Sequence, residues 1–498
     1  MSTRSTVSGS TLAVCLLLGL GGCYHASDFH AERPPVEVPE SFQAVAQETV
    51  PPQQWADLWQ EPELATLLQD TFSRNPSWQQ AWAQLEVSLA QARQAGAGRL
   101  PQVQATGQIQ RSKQPIMGAT SALAAGGGQQ QSGQGGNTRT PDAYTDTTYR
   151  AGLAASWELD LWGKLAAQDA AAERRVAAGR AQIEGLAISL AARVTETYLR
   201  LRTAEARLAL LHRQYEAVQE QIALLERRVG QGQSSALDLS QQEQTAERLQ
   251  GQVQLAQSQR DQYAHQLATL TGHAPQNWQL DVADRLPPLP PLPEPGLPIE
   301  LLQQRPDLQQ AFYEFQAVDA EAAAAAREHL PSITLSAEAF LQATELDELL
   351  DTVFWSIAGE AQQTIFDGGR IEAQEDVARA QADVARLSYA QAWLDALREV
   401  ADALSQAREL DAYEQSVRTQ LSQSEQALEL ARSRFVNGAV GYLRVLDAEQ
   451  QLREAQIAEL EARRDRWLNR LQLYRAVASG GDDLPAAARQ ATQDLSAS

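Results

Sequence analysis

Residues 149–164 read YRAGLAASWELDLWGK, and the reading of that stretch decides the fold. Tyr149, Ala151, Leu153, Ala155, Trp157 and Leu159 alternate with Arg150, Gly152, Ala154, Ser156, Glu158 and Asp160. A period of two gives a strand one apolar face and one polar or small face. After Leu161, Trp162 and Gly163 the period changes. From Lys164 to Val229 there is no proline, and Leu208, Leu211, Tyr215, Val218, Ile222, Leu225 and Val229 step by three and four, the seam of a coiled coil. A strand of membrane-spanning length therefore runs into a helix of roughly 66 residues, ~100 Å long at 1.5 Å per residue. An ordinary globular core needs no helix of that length.

The pattern occurs twice. Asn75-Pro76 opens a helix with an N-cap and a proline at the first helical position, and Arg305-Pro306-Asp307 repeats it 230 residues later. Leu100-Pro101 and Leu330-Pro331 share that offset. Beyond the hairpins the offset is 206, matching Gly163-Lys164 to Gly369-Arg370, Arg228 to Arg434 and Gly232 to Gly438. Constant offsets on each side of one insertion indicate a duplication. The first repeat, 55–284, holds helices at 76–100, 164–230 and 236–271 and a β-hairpin at about 102–160. In it Val103, Ala105, Gly107 and Ile109 form an apolar face, and 112–148, low in complexity, reads as a long exposed loop. A proline-rich linker, 285–298, reads as extended chain. The second repeat, 299–480, holds helices at 306–330, 369–437 and 441–478 and a hairpin at about 332–366. Its strands show apolar faces at Ile333, Leu335, Ala337, Ala339 and Leu341 and at Val353, Trp355, Ile357, Gly359 and Ala361. Its long helix carries Val377, Val384, Leu387, Leu394, Leu397 and Leu404 at alternating steps of seven and three. The tail, 481–498, reads as disordered.

Residues 1–22 read as a signal peptide, with Arg4 before an apolar run from Leu12 to Leu20 that is too short to span a bilayer. The ending Leu20-Gly21-Gly22-Cys23 resembles a lipoprotein lipobox, which makes Cys23 the lipidated first residue of an extended arm, 23–54; a plain signal peptide cut nearby is the alternative. Cys15 lies in the discarded segment, so no disulfide is expected. The net charge of −22 becomes one unit more negative when Arg4 is removed, and the lack of a basic footprint argues against nucleic acid. No run of 18 apolar residues exists, so entry into a membrane would be by strands. Four strands cannot close a barrel alone, and three copies give twelve strands and a lumen. Tyr149 and Trp157 are spaced for two aromatic girdles. A soluble sandwich is the competing architecture.

Several segments carry a family resemblance: SWELDLWGK at 156–164, RPD at 305–307, IFDGGR at 365–370, RFVNGAVGYLRVLDAEQQL at 434–452 and LYRAVASGG at 473–481. Together they resemble the TolC-like outer-membrane efflux family, in its OprM and NodT type of outer-membrane lipoprotein. The resemblance implies a mainly α fold with a small transmembrane β-barrel: a homotrimer whose 12-stranded β-barrel in the outer membrane continues as a 12-helix α-barrel across the periplasm. It implies the exit duct of a tripartite pump, with a periplasmic adaptor (membrane fusion protein) and an inner-membrane transporter of the RND type as partners, seated in outer-membrane lipid. The family pattern maps a periplasmic gate onto Leu443 and Asp447, which at i, i+4 share a helical face. It maps adaptor-docking tips onto Arg228 and Gly232 and onto Arg434 and Gly438. The plainer alternatives are a seam leucine, an acid favoured by a helix N-terminus, and turns that need glycine.

No catalytic constellation is found. The six histidines lack metal-ligand spacing, and the glycine-rich stretch at 126–136 lacks the Gly-Lys-Ser/Thr of a phosphate loop, so neither enzyme activity nor a cofactor is expected. Glu158, Asp160, Glu338 and Glu360 on the polar strand faces suggest an acidic duct with a mild cation preference. The expected function is a passive conduit for drugs or other small toxic compounds. A duct for metal ions or secreted polypeptides, or a periplasmic coiled-coil lipoprotein without a pore, are the alternatives.

Overall fold

The computed structural model describes residues 49–50, 61–115, 143–293 and 305–477, although the side chains of a few residues at segment ends lie outside the described set. Cys23, the signal peptide, the tail and most of the first hairpin loop fall outside those residues. In chain order the elements are β1 (Thr49–Val50), α1 (Pro62–Arg74), α2 (Pro76–Ala97), β2 (Gln102–Pro115), β3 (Ala143–Leu159), α3 (Lys164–Gly230) and α4 (Ala236–Leu270). They continue as β4 (Leu292–Pro293), α5 (Pro306–Ala326), β5 (Ser332–Ala343), β6 (Val353–Gln362), α6 (Arg370–Val436) and α7 (Leu443–Val477). The chain divides into two compact units. One contains 90–172 and 319–380, the other 27–89, 173–318 and 381–498. Among the described residues no helix is long and apolar enough to cross a membrane.

The first unit is built on a four-stranded antiparallel sheet in the order β2-β3-β5-β6. Its register brings the four apolar faces together. Val103 pairs with Ala155 and Ala105 with Leu153. Trp157 pairs with Leu335 and Leu153 with Ala339. Ala337 pairs with Ile357 and Ala339 with Trp355. Slipping any strand by one residue would swap its faces. That apolar face is uncovered in the single chain: Ile109 and Ile357 are each 74% exposed and Trp355 73%. The β2–β3 pairing reaches Pro115 and Ala143, so residues 112–115 and 143–148 are strand rather than the loop expected. Tyr144, Thr145, Thr147 and Thr148 supply β-prone side chains there, a signal hidden by the neighbouring glycine-rich composition.

An aspartate starts each long helix. Asp160 accepts from the backbone N–H of Leu165 at 3.1 Å and Ala166 at 2.7 Å. Asp367 accepts from Ile371 at 2.8 Å, Gly369 at 3.0 Å and Arg370 at 3.2 Å. The Ile371 N–H, with those of Gly369 and Arg370, holds the Asp367 carboxyl below the usual range. The helices before the hairpins stop short of the expected 100 and 330. α2 ends at Ala97 in i, i+3 turns through Leu100, and α5 passes into a 3-10 turn at Arg327–His329. Pro101 and Pro331 disfavour helical conformation in the residue before them, and the last turn tightens instead.

The second unit is helical. The predicted seam of α3 supplies one of its core clusters, with Leu208, Leu211 and Val218 packed against Ala246, Leu249, Val253 and Ala256 of α4, and a second is built around Tyr389, Trp393 and Leu473. Polar pairs at steps of seven along α3 join it to α7: Arg207 to Glu461 at 3.1 Å, Gln214 to Gln456 at 2.8 Å and Gln221 to Glu449 at 2.7 Å. On α6 the pattern behaves differently. Leu404 is buried and Leu397 packs against the core, whereas Val377, Val384, Leu387 and Leu394 are exposed. The linker is no free spacer over 285–293. Leu286 and Leu292 are buried, and Trp467 and Tyr474 of α7 donate to the carbonyls of Pro287 and Pro291, each at 3.0 Å. Arg470 donates to Pro290, and burial pushes its guanidinium down to about 10.

The duplication is visible in one shared contact. Asn75 caps α2 through its side-chain oxygen, which accepts from the Ser77 N–H at 2.8 Å, and its amide donates to the Leu270 carbonyl at 2.8 Å. Arg305, the counterpart of Asn75, donates to the Ala476 carbonyl at 3.0 Å, and Ala476 stands 206 residues after Leu270. Arg305 also pairs with Asp307 at 2.7 Å and Glu399 at 3.0 Å. Burial would raise the Glu399 carboxyl, but the hydrogen bond from Arg475 and the charge and hydrogen bond of Arg305 outweigh it and hold it below its ordinary range. A carboxyl depressed on folding contributes stability above its unfolded value of about 4.3 and loses it as pH falls through the folded one. Arg305→Ala is therefore expected to cost about 3 kcal/mol at pH 7, read as the loss of helical circular dichroism on denaturation in detergent. The same variant should flatten the stability loss between about pH 5 and pH 3.

Candidate functional site at the helix tips

The two long helices end alike. After α3, Gln233 N–H donates to the Arg228 carbonyl at 2.8 Å, and after α6, Ala439 N–H donates to Arg434 at 2.9 Å. Both are Schellman turns, and both pairs are separated by the repeat offset. Gly232 at φ +73 and Gly438 at φ +71 supply the left-handed residue. A Cβ at either would meet no atom within 4 Å, so backbone conformation rather than space demands glycine there. The next helix starts differently in the two repeats: Ser235 and Asp238 form a capping box on α4, whereas α7 begins at Leu443 after hydrogen-bonded turns from Gly441 and Tyr442.

Arg228 and Arg434 share a position in the repeat but not a role. The Arg228 guanidinium lies 5.2 Å from the Phe435 ring centroid, tying one tip to the other, while Arg434 is exposed. Leu443 is 57% exposed, outside the packed seam of its own chain. Asp447 follows one turn on, with Arg444 at 4.0 Å and both side chains largely in solvent. Between the tips lies a groove of about 570 Å³, lined by Leu224, Arg228, Phe435, Tyr442 and Glu449 among others.

Behind that groove four helices meet at one carboxylate that sequence reading missed. Glu449 of α7 is 4% exposed. One of its oxygens accepts from Gln221 of α3 at 2.7 Å and from Arg432 of α6 at 3.0 Å, and Gln242 of α4 donates to Gln221. Arg453, one turn along α7, stands 3.8 Å from the other oxygen. Burial lowers the Arg453 guanidinium, and burial raises the Tyr442 hydroxyl, helped by the charge of Glu449. The available signal was an acid within the apolar run of Val445, Ala448 and Leu452.

The polar face of the sheet is less acidic than expected. Glu158 pairs with Lys164 at 2.9 Å, Glu338 with Arg150 at 2.9 Å, and Asp160 is used as a cap. Of the four acids, Glu360 alone has neither ion pair nor cap among the described residues. No group of three or more His, Cys, Asp or Glu among those residues is placed to hold a metal ion.

A family model described as outer membrane efflux protein matches residues 67–273 and 297–479. Outer membrane protein OprJ of Pseudomonas aeruginosa is 29% identical over 485 residues, spanning 95% of this chain and 96% of that protein. The solvent efflux pump outer membrane protein SrpC of Pseudomonas putida is 32% identical over 350 residues, spanning 68% and 73%. The cation efflux system protein CusC of Escherichia coli K12 is 26% identical over 480 residues, spanning 94% and 99%. A crystal structure of CusC superposes with a TM-score of 0.78 at 25% identity, covering 90% of this chain and 98% of that one.

Removing one partner from a buried ion network leaves the others uncompensated. Glu449→Ala is expected to lower stability by about 3 kcal/mol, and Glu449→Gln, which can still accept from Gln221, by less. Chemical denaturation of the two variants beside the parent checks the order.

Proposed function

We infer what this chain does from one premise: it belongs to the outer membrane efflux protein family. It works in the bacterial outer membrane as the outer component of an efflux system. In our reading it is the passive exit duct of a tripartite pump for drugs or other small toxic compounds. An inner-membrane transporter of the RND type drives it through a periplasmic adaptor. The observation that carries this reading is the sheet. Its apolar residues share one uncovered face, and β2 and β6 are open edges. Open edges are not tolerated in hydrocarbon, so closure comes from further copies of the chain. Three copies give a 12-stranded β-barrel, with a 12-helix α-barrel below it in the periplasm. The exposed leucines and valines of α6 supply apolar surface for contact between copies.

In that trimer Leu443 and Asp447 form rings at the periplasmic end. The leucines close the bore sterically, and the carboxylates repel one another and favour release. The tips at Arg228, Gly232, Arg434 and Gly438 dock the adaptor, and Cys23 carries the lipid anchor. The solvent pump to which SrpC belongs supports small toxic compounds as cargo. A cation duct is the second reading, favoured by the similarity to CusC across nearly the whole chain.

The purified full chain is expected to run as a trimer by light scattering in detergent and to form channels in planar bilayers. Leu443→Ala with Asp447→Ala should raise single-channel conductance several-fold. Monomers without channel activity would overturn the duct, and an unchanged conductance in the double variant would overturn the gate alone.

A further inference from the structure

From the start of each long helix to the last turn of the returning one, the two halves correspond at the offset of 206, and α3 and α6 are each 67 residues long. Within the chain one face of α3 is covered by α7, where Arg207 meets Glu461, Gln214 meets Gln456 and Gln221 meets Glu449. The corresponding faces of α6 and α4 are open. Tyr413, in the place of Arg207, is 51% exposed, and Leu255, in the place of Glu461, is 73% exposed. Gln420 and Gln250, both exposed, stand where the bonded pair Gln214 and Gln456 stands in the covered contact. The open faces thus repeat the covered ones with partners that match: a ring and a leucine for an ion pair, and amide with amide again. Gly251 adds a second sign. A glycine inside a helix weakens it relative to alanine, and a Cβ here would meet no atom within 4 Å of its own chain. It corresponds to Ile457, which packs against the α3–α4 seam, and it shares a helical face with Leu255 one turn on.

We propose that copies of the chain join through these faces, α6 of one against α4 of the next, in the register that α3 and α7 keep within a chain. Tyr413 then covers Leu255 in the space left by Gly251, and Gln420 bonds Gln250. The proposal rests on the reading that several copies close the duct, and it adds which faces meet and in what register. Because the two faces lie on different helices, the contact is heterologous and closes as a ring. The register also sets the two kinds of junction apart beside the tips. Within the chain Glu449 is held by Gln221, Arg432 and Arg453. Between copies Glu243 takes its place, with Ala427 for Gln221, Glu226 for Arg432 and Glu247 for Arg453. Three carboxylates stand where the chain itself has one carboxylate and two guanidiniums, and like charges repel. The junction between copies is therefore weaker at that end than the junction within a chain.

The test uses the full chain purified in detergent, with substitutions only at positions exposed in the single chain. With Gln250→Cys and Gln420→Cys in one chain, a short bis-maleimide is expected to give covalent trimers on denaturing gels. Either substitution alone should give none, and Gln250→Cys with Ala427→Cys, one heptad out of register, several-fold less. Leu255→Glu should lower the temperature at which the trimer dissociates by several degrees, and adding Tyr413→Arg, which transplants the Arg207–Glu461 pair, should restore most of that loss. Glu226→Arg with Ala427→Gln, which copies the partners of Glu449 around Glu243, should raise it. Equal crosslinking by the two cysteine pairs, trimers by light scattering that do not crosslink, or no rescue by Tyr413→Arg overturns the register. An unchanged or lowered dissociation temperature in Glu226→Arg with Ala427→Gln overturns the weak end alone, and a chain that stays monomeric throughout overturns the assembly itself.

Discussion

Every N–H and C=O of a strand in hydrocarbon must be paired, and its side chains must present one apolar face to the lipid. In this protein the register meets the second demand within one chain, because Trp157, Leu335, Gly359 and their neighbours fall on the same side in all four strands. The first demand is not met, since both outer strands keep an unpaired edge. A sheet so built is stable neither as a soluble layer nor as a lone membrane insert. The proposed assembly follows from that conflict.

The second unit achieves stability by other means. Its helices are too evenly polar and alanine-rich to form a thick core, so a narrow seam of leucines and valines is supplemented by fixed polar contacts. The two repeats solve the same problem with different chemistry. A neutral amide on Asn75 and a buried guanidinium on Arg305 both reach the last turn of the returning helix. The charged solution recruits Glu399 and Arg475, which gives the second repeat a larger network and a greater sensitivity to losing one member.

Much of this was legible in the sequence where a period was strong. The strand faces, the α3 seam and the two offsets appear in the structure as read, because each rests on many residues stepping together. What escaped was single side chains in unexpected surroundings. Glu449 sits in a helix rich in exposed acids, and its place among Val445, Ala448 and Leu452 is the one local cue that four helices enclose it. The linker, 285–298, is expected as extended chain, but the attachment of its described part, 285–293, depends on Trp467, Arg470 and Tyr474, which lie about 180 residues away. At the tips, Gly232 and Gly438 take the left-handed conformation expected of turns; sequence could not reveal that Arg228 reaches across to Phe435.

The register that sets Gly152 of β3 opposite Phe340 of β5 has a bearing on how this lineage can change. A Cβ on Gly152 would come 2.5 Å from the Phe340 Cβ, 2.6 Å from the Ala339 carbonyl oxygen and 2.8 Å from the Phe340 Cα, atoms that remain whatever side chain but glycine's stands at 340. The glycine is therefore held by the backbone of β5 and not by the ring. Position 152 can change among descendants only where the approach of β3 to β5 changes with it.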